Sequence, residues 1–199
     1  MKQHFVNSCV KLINKYYDYN DEKINEIKYG LATVYITFTK TVVIFALTFI
    51  LGIFKEMIVL LILYNLLRLT GFGLHAKESW QCWLSSIVSF IILPVMIRYF
   101  TINIYVKIAL MAVCILFIFI YAPADTEKRP IVSKNRRLIY KSCCTLSAIL
   151  YLILIIFIND NMISNSLLFA TILETVLILP TTYKIFKLKY DNYKSYKKA

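Results

Sequence analysis

Two residues that can act together as a base and a nucleophile lie seven positions apart, at His75 and Cys82. They belong to the segment from Arg68 to Cys82, which holds one of the two histidines and two of the four glycines in the chain. A thiolate paired with an imidazole is the minimal equipment for attacking a peptide carbonyl and forming an acyl thioester. The pair is therefore the candidate catalytic centre.

Helix geometry limits how these two residues can cooperate. Seven residues along an unbroken α-helix return to nearly the same face but rise about 10.5 Å, which is too far for a hydrogen bond between the side chains. Gly71 and Gly73 favour a break before the histidine, because glycine accepts backbone angles that other residues resist. We therefore predict that a helix ends after Gly71 and that Cys82 opens the next one, where the helix dipole favours a thiolate.

Neighbouring polar residues are candidates for the other roles in such a site. Glu78 or Asn65 could orient the histidine as a third catalytic residue. Gln81, or backbone N–H groups near Cys82, could donate hydrogen bonds to an oxyanion. The chain has no Cys-x-x-Cys pair and no cluster of cysteine and histidine at metal-ligand spacing, so we expect no metal site and no cofactor.

The elements that must position these residues are membrane-spanning helices. Hydrophobic residues make up 59% of the 199 positions and form long runs, which a soluble domain of this size could not keep buried. We predict an all-α, polytopic membrane protein with six transmembrane helices. Short turns at residues 55–56 and 159–161 join two pairs of them. The six predicted spans are residues 31–54, 57–73, 83–99, 102–121, 143–158 and 162–182.

The segments that flank this bundle are also interpretable. In residues 1–30 the apolar positions recur at helical spacing, which is typical of an amphipathic helix lying in the membrane interface; a helix packed on the protein's own loops is the alternative. Residues 31–182 form the six-span bundle, and residues 183–199 form a basic tail. No repeat or linker divides the chain, so we expect a single membrane domain over residues 1–199.

The net charge of +12 indicates an orientation in the membrane. The basic residues lie between apolar runs and at the chain ends, not along one soluble face, so nucleic-acid binding is not expected. Nineteen lysines and arginines fall in segments on one side of the predicted bundle and three on the other. By the positive-inside rule, both termini and the His75 segment are expected to face the cytoplasm.

Several charged residues outside this segment have two interpretations. Lys128 and Arg129 lie in a basic loop that either sets topology and contacts anionic membrane lipids or binds an acidic segment of a peptide substrate. Glu174 lies in the middle of the last span, so it is expected to face the bundle interior or to stay protonated. Lys40 is expected to extend to the interface rather than to pair with Glu174. Pro180 is expected to kink or end its helix.

Two motifs together carry a resemblance to a known family. The chain resembles the accessory gene regulator B (AgrB) family, membrane endopeptidases of bacterial quorum sensing, and the likeness covers most of its length. The resemblance implies a cysteine peptidase of the bacterial cell membrane that cuts the C-terminal tail from an AgrD-type precursor peptide. It also implies that the peptide is retained as an acyl-enzyme and released as a cyclic thiolactone or lactone. The motifs are Arg68, Gly73, His75, Ala76 and Cys82 at these spacings, and the sequence from Tyr121 to Pro130.

The same resemblance implies roles for individual residues. The catalytic histidine of the family matches His75 and its nucleophile matches Cys82, while Arg68 and Gly73 match positions associated with activity. One departure concerns the backbone before the histidine. The family commonly has two adjacent glycines there, whereas Phe72 occupies the first of these places in this chain.

Two other function classes fit parts of the pattern. A small peptide transporter or exporter would use Glu174, Lys40 and Asn65 along its pathway and leave the His75 and Cys82 pair without chemistry. An intramembrane metalloprotease would need paired Glu and His ligands, for which two histidines are too few. For the peptidase, the limited surface that six short spans offer to a peptide favours a homodimer.

Overall fold

The computed structural model describes residues 2–17, 19–74, 79–126 and 130–196. These residues form helices and no β-strand. The helices are α1 (Lys2–Asn14), α2 (Asp21–Ile50), α3 (Phe54–Gly71), α4 (Ser79–Ile87), a π-helical segment (Val88–Ile92), α5 (Leu93–Tyr99), α6 (Ile104–Tyr121), α7 (Lys134–Phe157), α8 (Asn161–Ile178), α9 (Pro180–Ile185) and α10 (Tyr193–Tyr196).

Among the described residues, five helical stretches are long and apolar enough to cross a membrane, and the chain is an all-α membrane protein, as predicted. The helix α3 contains Lys55, Glu56 and Arg68 within eighteen residues and is not among the five. The predicted count of six spans is therefore not confirmed. The five stretches are Asp21–Ile50, Trp80–Tyr99, Ile104–Tyr121, Lys134–Phe157 and Asn161–Ile178.

The chain divides into two compact units, Met1–Leu47 and Thr48–Ala199. The first contains α1 and most of α2. Asn20 caps α2, because its side-chain oxygen accepts a 3.1 Å hydrogen bond from the backbone N–H of Lys23. Within this unit the rings of Phe5 and Tyr35 lie 5.2 Å apart, measured between centroids. A helix is present at Lys2–Asn14, but residues 21–30 belong to α2, which begins at Asp21 and not at residue 31. The place of α1 in the membrane interface stays a prediction.

The turn between α2 and α3 differs from the predicted one. It lies at residues 51–53, where Gly52 adopts a positive φ of 68°, and not at residues 55–56. Lys55 and Glu56 instead form part of the first turn of α3, where an acidic side chain is favoured by the helix dipole. Arg98 donates a hydrogen bond to the Gly52 carbonyl, and its Nη1 lies 3.8 Å from Oε1 of Glu56. Lys55 and Glu56 therefore belong to α3 and not to the turn.

Two other predicted boundaries shift for local reasons, and the second predicted turn is confirmed. The helix α7 begins at Lys134 and not at residue 143, since its basic first turns are themselves helical. Asp160 caps α8 by accepting hydrogen bonds from the N–H groups of Met162 and Ile163, which confirms the second predicted turn. The last span ends at Ile178 and not at residue 182, because Pro180 starts the new helix α9.

The core of the second unit is built around α8, which packs against α3, α6 and α7. This helix is rich in polar residues, and their hydrogen bonds explain how it can be buried. Thr171 and Thr175 each donate to the carbonyl four residues earlier, and Asn165 donates to the carbonyl of Phe100 at 2.7 Å. Lys107 donates to Ser164 at 2.6 Å. A polar interior of this kind can also accommodate Glu174, which is fully buried, as one of its two predicted alternatives requires.

Candidate active site

The predicted end of the helix before the histidine is confirmed. The helix α3 ends at Gly71, and the two residues that follow have positive φ angles, 62° at Phe72 and 84° at Gly73. The next helix, α4, begins at Ser79, so Cys82 is its fourth residue and lies in its first turn. The sequence signal for this break was the pair of closely spaced glycines.

Phe72 shows how the chain accommodates its departure from the family pattern. Its backbone angles, φ 62° and ψ −106°, lie where glycine is favoured and other residues are strained. The ring packs edge-on against Tyr140 with the centroids 4.9 Å apart. Phe72 therefore adopts backbone angles expected of a glycine. Its ring contact with α7 offsets part of the cost of this strained backbone.

The segment after α3 is held in place by two distant parts of the chain. Gly73 donates a 2.8 Å backbone hydrogen bond to the carbonyl of Ala124, and the N–H of Ala124 returns a 3.1 Å bond to the carbonyl of Gly71. Leu74 donates a 3.1 Å bond to the carbonyl of Leu177, near the end of α8. The backbone immediately before His75 is thus fixed on both sides, although it is not helical.

Arg68 links this segment to the core. Its Nη2 donates a 2.5 Å hydrogen bond to the carbonyl of Leu74, the residue directly before His75. Its Nη1 lies 3.6 Å from Oε2 of Glu174, and the two side chains are 14% and 0% exposed. Glu174 was predicted to face the interior, but its pairing with Arg68 was not predicted. The available signal was that a single carboxylate in an apolar span needs a cationic partner from another span.

Close approach requires glycine at both positions of the segment, and at Gly73 the positive φ requires it as well. A Cβ at Gly71 would collide with the Glu174 carboxylate and lie 3.2 Å from the Cys144 sulfur. A Cβ at Gly73 would collide with the Arg68 guanidinium and lie 2.9 Å from the carbonyl oxygen of Leu177. The ion pair can therefore pass beside this backbone only because these two side chains are absent.

Cys82 lies on the helix that leads into the membrane span. Its side chain is half-buried, and its carbonyl accepts hydrogen bonds from the hydroxyls of Ser86 at 2.8 Å and Ser85 at 3.1 Å. Gln81, the candidate oxyanion donor, precedes it and is also half-buried. The helix then widens into the π-helical segment before Pro94 in α5. Such segments often accompany a residue that cannot donate to the helical ladder.

Of the other predicted site residues, the structure describes Asn65 alone. The Asn65 side chain is exposed and donates a 2.8 Å hydrogen bond to the carbonyl of Leu61 in its own helix. His75, Glu78, Lys128 and Arg129 lie outside the described residues. The structure thus brings Arg68 and Gly73 together with Glu174, and it places Cys82 at the start of the adjoining helix.

The second motif is bound by the C-terminal part of the chain, which sequence reasoning treated as a basic tail. Asp125 is buried, and its two carboxylate oxygens accept hydrogen bonds from the backbone N–H groups of Asn192, at 3.1 Å, and Tyr193, at 2.8 Å. Arg137 Nη1 lies 3.8 Å from the same carboxylate, and its guanidinium stacks 3.6 Å from the Tyr193 ring centroid. Residues 190–193 are therefore packed against the motif.

Two tyrosines add to this attachment, Tyr183, which is buried, and Tyr190, which is half-buried. The Tyr183 hydroxyl donates to the Asp125 carbonyl at 3.2 Å, and the Tyr190 hydroxyl donates to the Tyr121 carbonyl at 3.3 Å. Burial raises the pKa of Tyr190 to about 12, with a further contribution from neighbouring Asp191, and burial also raises the pKa of Tyr183. Both phenols stay protonated at neutral pH, so they remain hydrogen-bond donors.

Comparison with known proteins gives one consistent result. The family model described as "Accessory gene regulator B" matches residues 6–178. An AgrB-like protein of Clostridium acetobutylicum is 30% identical over 94% of this chain and 90% of its own length. The accessory gene regulator protein B of Staphylococcus epidermidis is 32% identical over 78% of this chain and 79% of its own, and an AgrB-like protein of Listeria innocua is 25% identical over 89% and 87%. No solved structure matches.

Proposed function

Since this chain belongs to the accessory gene regulator B family, which serves the agr quorum-sensing system, we propose that it is a membrane cysteine endopeptidase. Its substrate is an AgrD-type precursor peptide, from which it removes the C-terminal tail. The Cys82 sulfur bonds to the carbonyl carbon, and the peptide C–N bond breaks. His75 takes the thiol proton and passes it to the leaving amine. The product of this step is an acyl thioester on Cys82.

The second proposed step closes a ring. A thiol or hydroxyl of the same peptide attacks the thioester carbonyl, the Cys82 thiolate leaves, and the proton of the attacking group returns to the enzyme. A thioester or ester forms as a thioester breaks, so the exchange has little net cost. Water must be kept from the acyl-enzyme meanwhile, and a site at the start of a membrane span helps to exclude it.

One observation carries this proposal, namely that α3 ends at Gly71 and Cys82 lies in the first turn of α4. A continuous helix would hold the two reactive side chains about 10.5 Å apart along its axis and would forbid proton transfer between them. The end of α3 at Gly71 excludes a single helix from α3 through Cys82, and we propose that the two side chains meet in the active enzyme. The bond from Arg68 to the Leu74 carbonyl and the bonds that Gly73 and Leu74 donate to Ala124 and Leu177 support positioning roles for Arg68 and Gly73, since they fix the backbone before His75.

The remaining roles are assigned by chemistry alone. Gln81 is a candidate oxyanion donor, and Glu78 or Asn65 a candidate partner for the imidazole. Lys128 and Arg129 would bind an acidic segment of the precursor tail. The positive-inside rule places both termini and the active site on the cytoplasmic side, and the proposed working form is a homodimer.

The decisive experiment uses the purified full-length protein in lipid nanodiscs with a candidate precursor peptide. Cys82→Ser and His75→Ala should each abolish tail release, whereas Cys143→Ser, which alters an exposed cysteine of α7, should leave it unchanged. Mass spectrometry of the wild type should detect a peptide linked to Cys82. Normal processing by both active-site variants would refute the peptidase proposal and leave a transport function as the alternative.

A further inference from the structure

A cleft of about 500 Å³ lies where α6 ends and α7 begins. Tyr190 and Tyr193 of the C-terminal segment, which contact the second motif, also line this cleft. We call it the α6–α7 cleft and define it by Ile120, Lys134, Arg137, Leu138, Lys141 and Tyr190. It is separate from the segment that carries Cys82, and the proposed peptidase chemistry does not use it.

The cleft is strongly basic along one wall. Lys134, Arg137 and Lys141 follow one another at spacings of three and four residues, which places their side chains on one face of α7. Among the described lining residues the acidic one is Asp191, which is paired with Lys194 at 2.5 Å. Arg137 faces buried Asp125 at 3.8 Å, whereas no carboxylate of the described residues pairs with Lys134 or Lys141. The wall therefore carries positive charge suited to an anion.

Apolar side chains also line the cleft, and two of them are largely exposed. Ile120 and Leu138 are 51% and 67% exposed, and both belong to helices long and apolar enough to span a membrane. The Lys141 ammonium lies 4.8 Å from the ring centroid of Phe119, an exposed residue two positions before the end of α6. Lys141 thus lies near the end of a helix that could span a membrane, and exposed apolar side chains line the same cleft as the cations.

From this combination we propose that the α6–α7 cleft binds an anionic phospholipid. The phosphate of the head group lies among Lys134, Arg137 and Lys141, and an acyl chain lies on Ile120 and Leu138. A free phosphate or an acidic peptide would use the same cations, but neither would need the exposed apolar side chains that line the same cleft. Basic pockets between spans at the membrane boundary are suited to such head groups.

The test measures which lipid stays with the protein. Full-length protein is released from nanodiscs of equimolar phosphatidylglycerol and phosphatidylcholine, and the bound lipids are counted by native mass spectrometry. The wild type should retain phosphatidylglycerol in preference. In the double variant Lys134→Gln/Lys141→Gln this preference should fall by roughly tenfold, because each lysine near an anionic head group contributes to its binding.

A matched control separates this site from general charge. Lys184→Gln/Lys189→Gln also removes two positive charges, but from exposed positions outside the cleft, and it should keep the wild-type preference for phosphatidylglycerol. Equal losses in the two double variants, or no preference in the wild type, would overturn the proposal. Circular dichroism melting of each variant checks that it is folded.

Two competition arms identify the ligand class. Inorganic phosphate, or a hexamer of glutamate, is added at increasing concentration to protein that carries phosphatidylglycerol. Retention of the lipid in both arms supports the lipid site. Displacement by phosphate at concentrations comparable with the lipid would show a site for a free anion, and displacement by the hexamer would show a site for an acidic peptide; either result overturns the proposal.

Discussion

The guanidinium of Arg68 lies 3.6 Å from the carboxylate of Glu174 and at the same time donates a 2.5 Å hydrogen bond to the carbonyl of Leu74. Glu174, a buried residue of α8, thereby orients Arg68, which in turn binds the backbone just before His75. A buried ion pair contributes little net stability, because desolvation offsets the attraction between the charges. Positioning of the segment is the more direct account of its presence.

The first prediction concerns this ion pair. Glu174→Gln should lower the free energy of unfolding by about 3 to 5 kcal/mol, since it leaves the Arg68 charge buried without its counterion. It should also reduce kcat for tail release more than it raises KM, because the segment before His75 loses a restraint. A double-mutant cycle of Glu174→Gln with Arg68→Gln should show strong coupling between the two residues in chemical denaturation.

A second ion pair provides the matched control for that cycle. Glu56 also lies in a helix and faces an arginine, Arg98, at 3.8 Å, but that arginine is 43% exposed. Glu56→Gln should therefore cost about 1 kcal/mol or less and leave tail release intact. If the two glutamate variants behave alike, the assigned role of Glu174 is wrong.

The next prediction compares two glycines. Gly73→Ala should destabilise the protein by about 1 to 3 kcal/mol and impair tail release, since the residue has a φ of 84° and its Cβ would meet Arg68 and the Leu177 carbonyl. The control is Gly30→Ala, because Gly30 lies within α2 and a Cβ there would meet nothing within 4 Å. That variant should be more stable than the wild type by about 0.5 to 1 kcal/mol. Thermal unfolding and tail release measured side by side check both signs.

A prediction at Phe72 compares glycine with alanine. Alanine is usually the more stabilising replacement within helices, but here we expect glycine to be. Phe72→Gly relieves the strain of a positive φ and loses the ring contact with Tyr140, whereas Phe72→Ala loses the contact and keeps the strain. We expect the glycine variant to be about 1 kcal/mol more stable than the alanine variant. An alanine variant of equal or greater stability in urea denaturation would argue against a strained backbone at this position.

A further prediction concerns the attachment of the C-terminal segment. Asp125→Asn removes the charge that faces Arg137 and weakens the acceptor of two backbone N–H groups. Limited trypsin digestion should then cut more rapidly after Lys187 and Lys189. The control is Asp191→Asn, whose partner Lys194 is 65% exposed, so that its loss should change the digestion rate little. Equal protection in all three proteins would mean that Asp125 does not secure the tail.

The sequence by itself determined those features that depend on local chemistry. Long apolar runs identified the chain as a helical membrane protein, because such runs can be buried only in lipid or within a bundle. The spacing of Gly71 and Gly73 predicted the end of α3, since backbone freedom is a property of the residue itself. Boundaries failed where a nearby residue competed, as at Gly52, whose positive φ moved the first turn away from Lys55 and Glu56.

Only the tertiary structure decided which distant groups meet. Arg68 could have paired with several carboxylates, and nothing in its local sequence distinguishes Glu174. The hydrogen bonds from Gly73 to Ala124 and from Leu74 to Leu177 join backbone groups that every residue carries, so no side-chain pattern predicts them. The attachment of Asn192 and Tyr193 to Asp125 is of the same kind. Such contacts depend on how the helices pack, and packing depends on the whole chain at once.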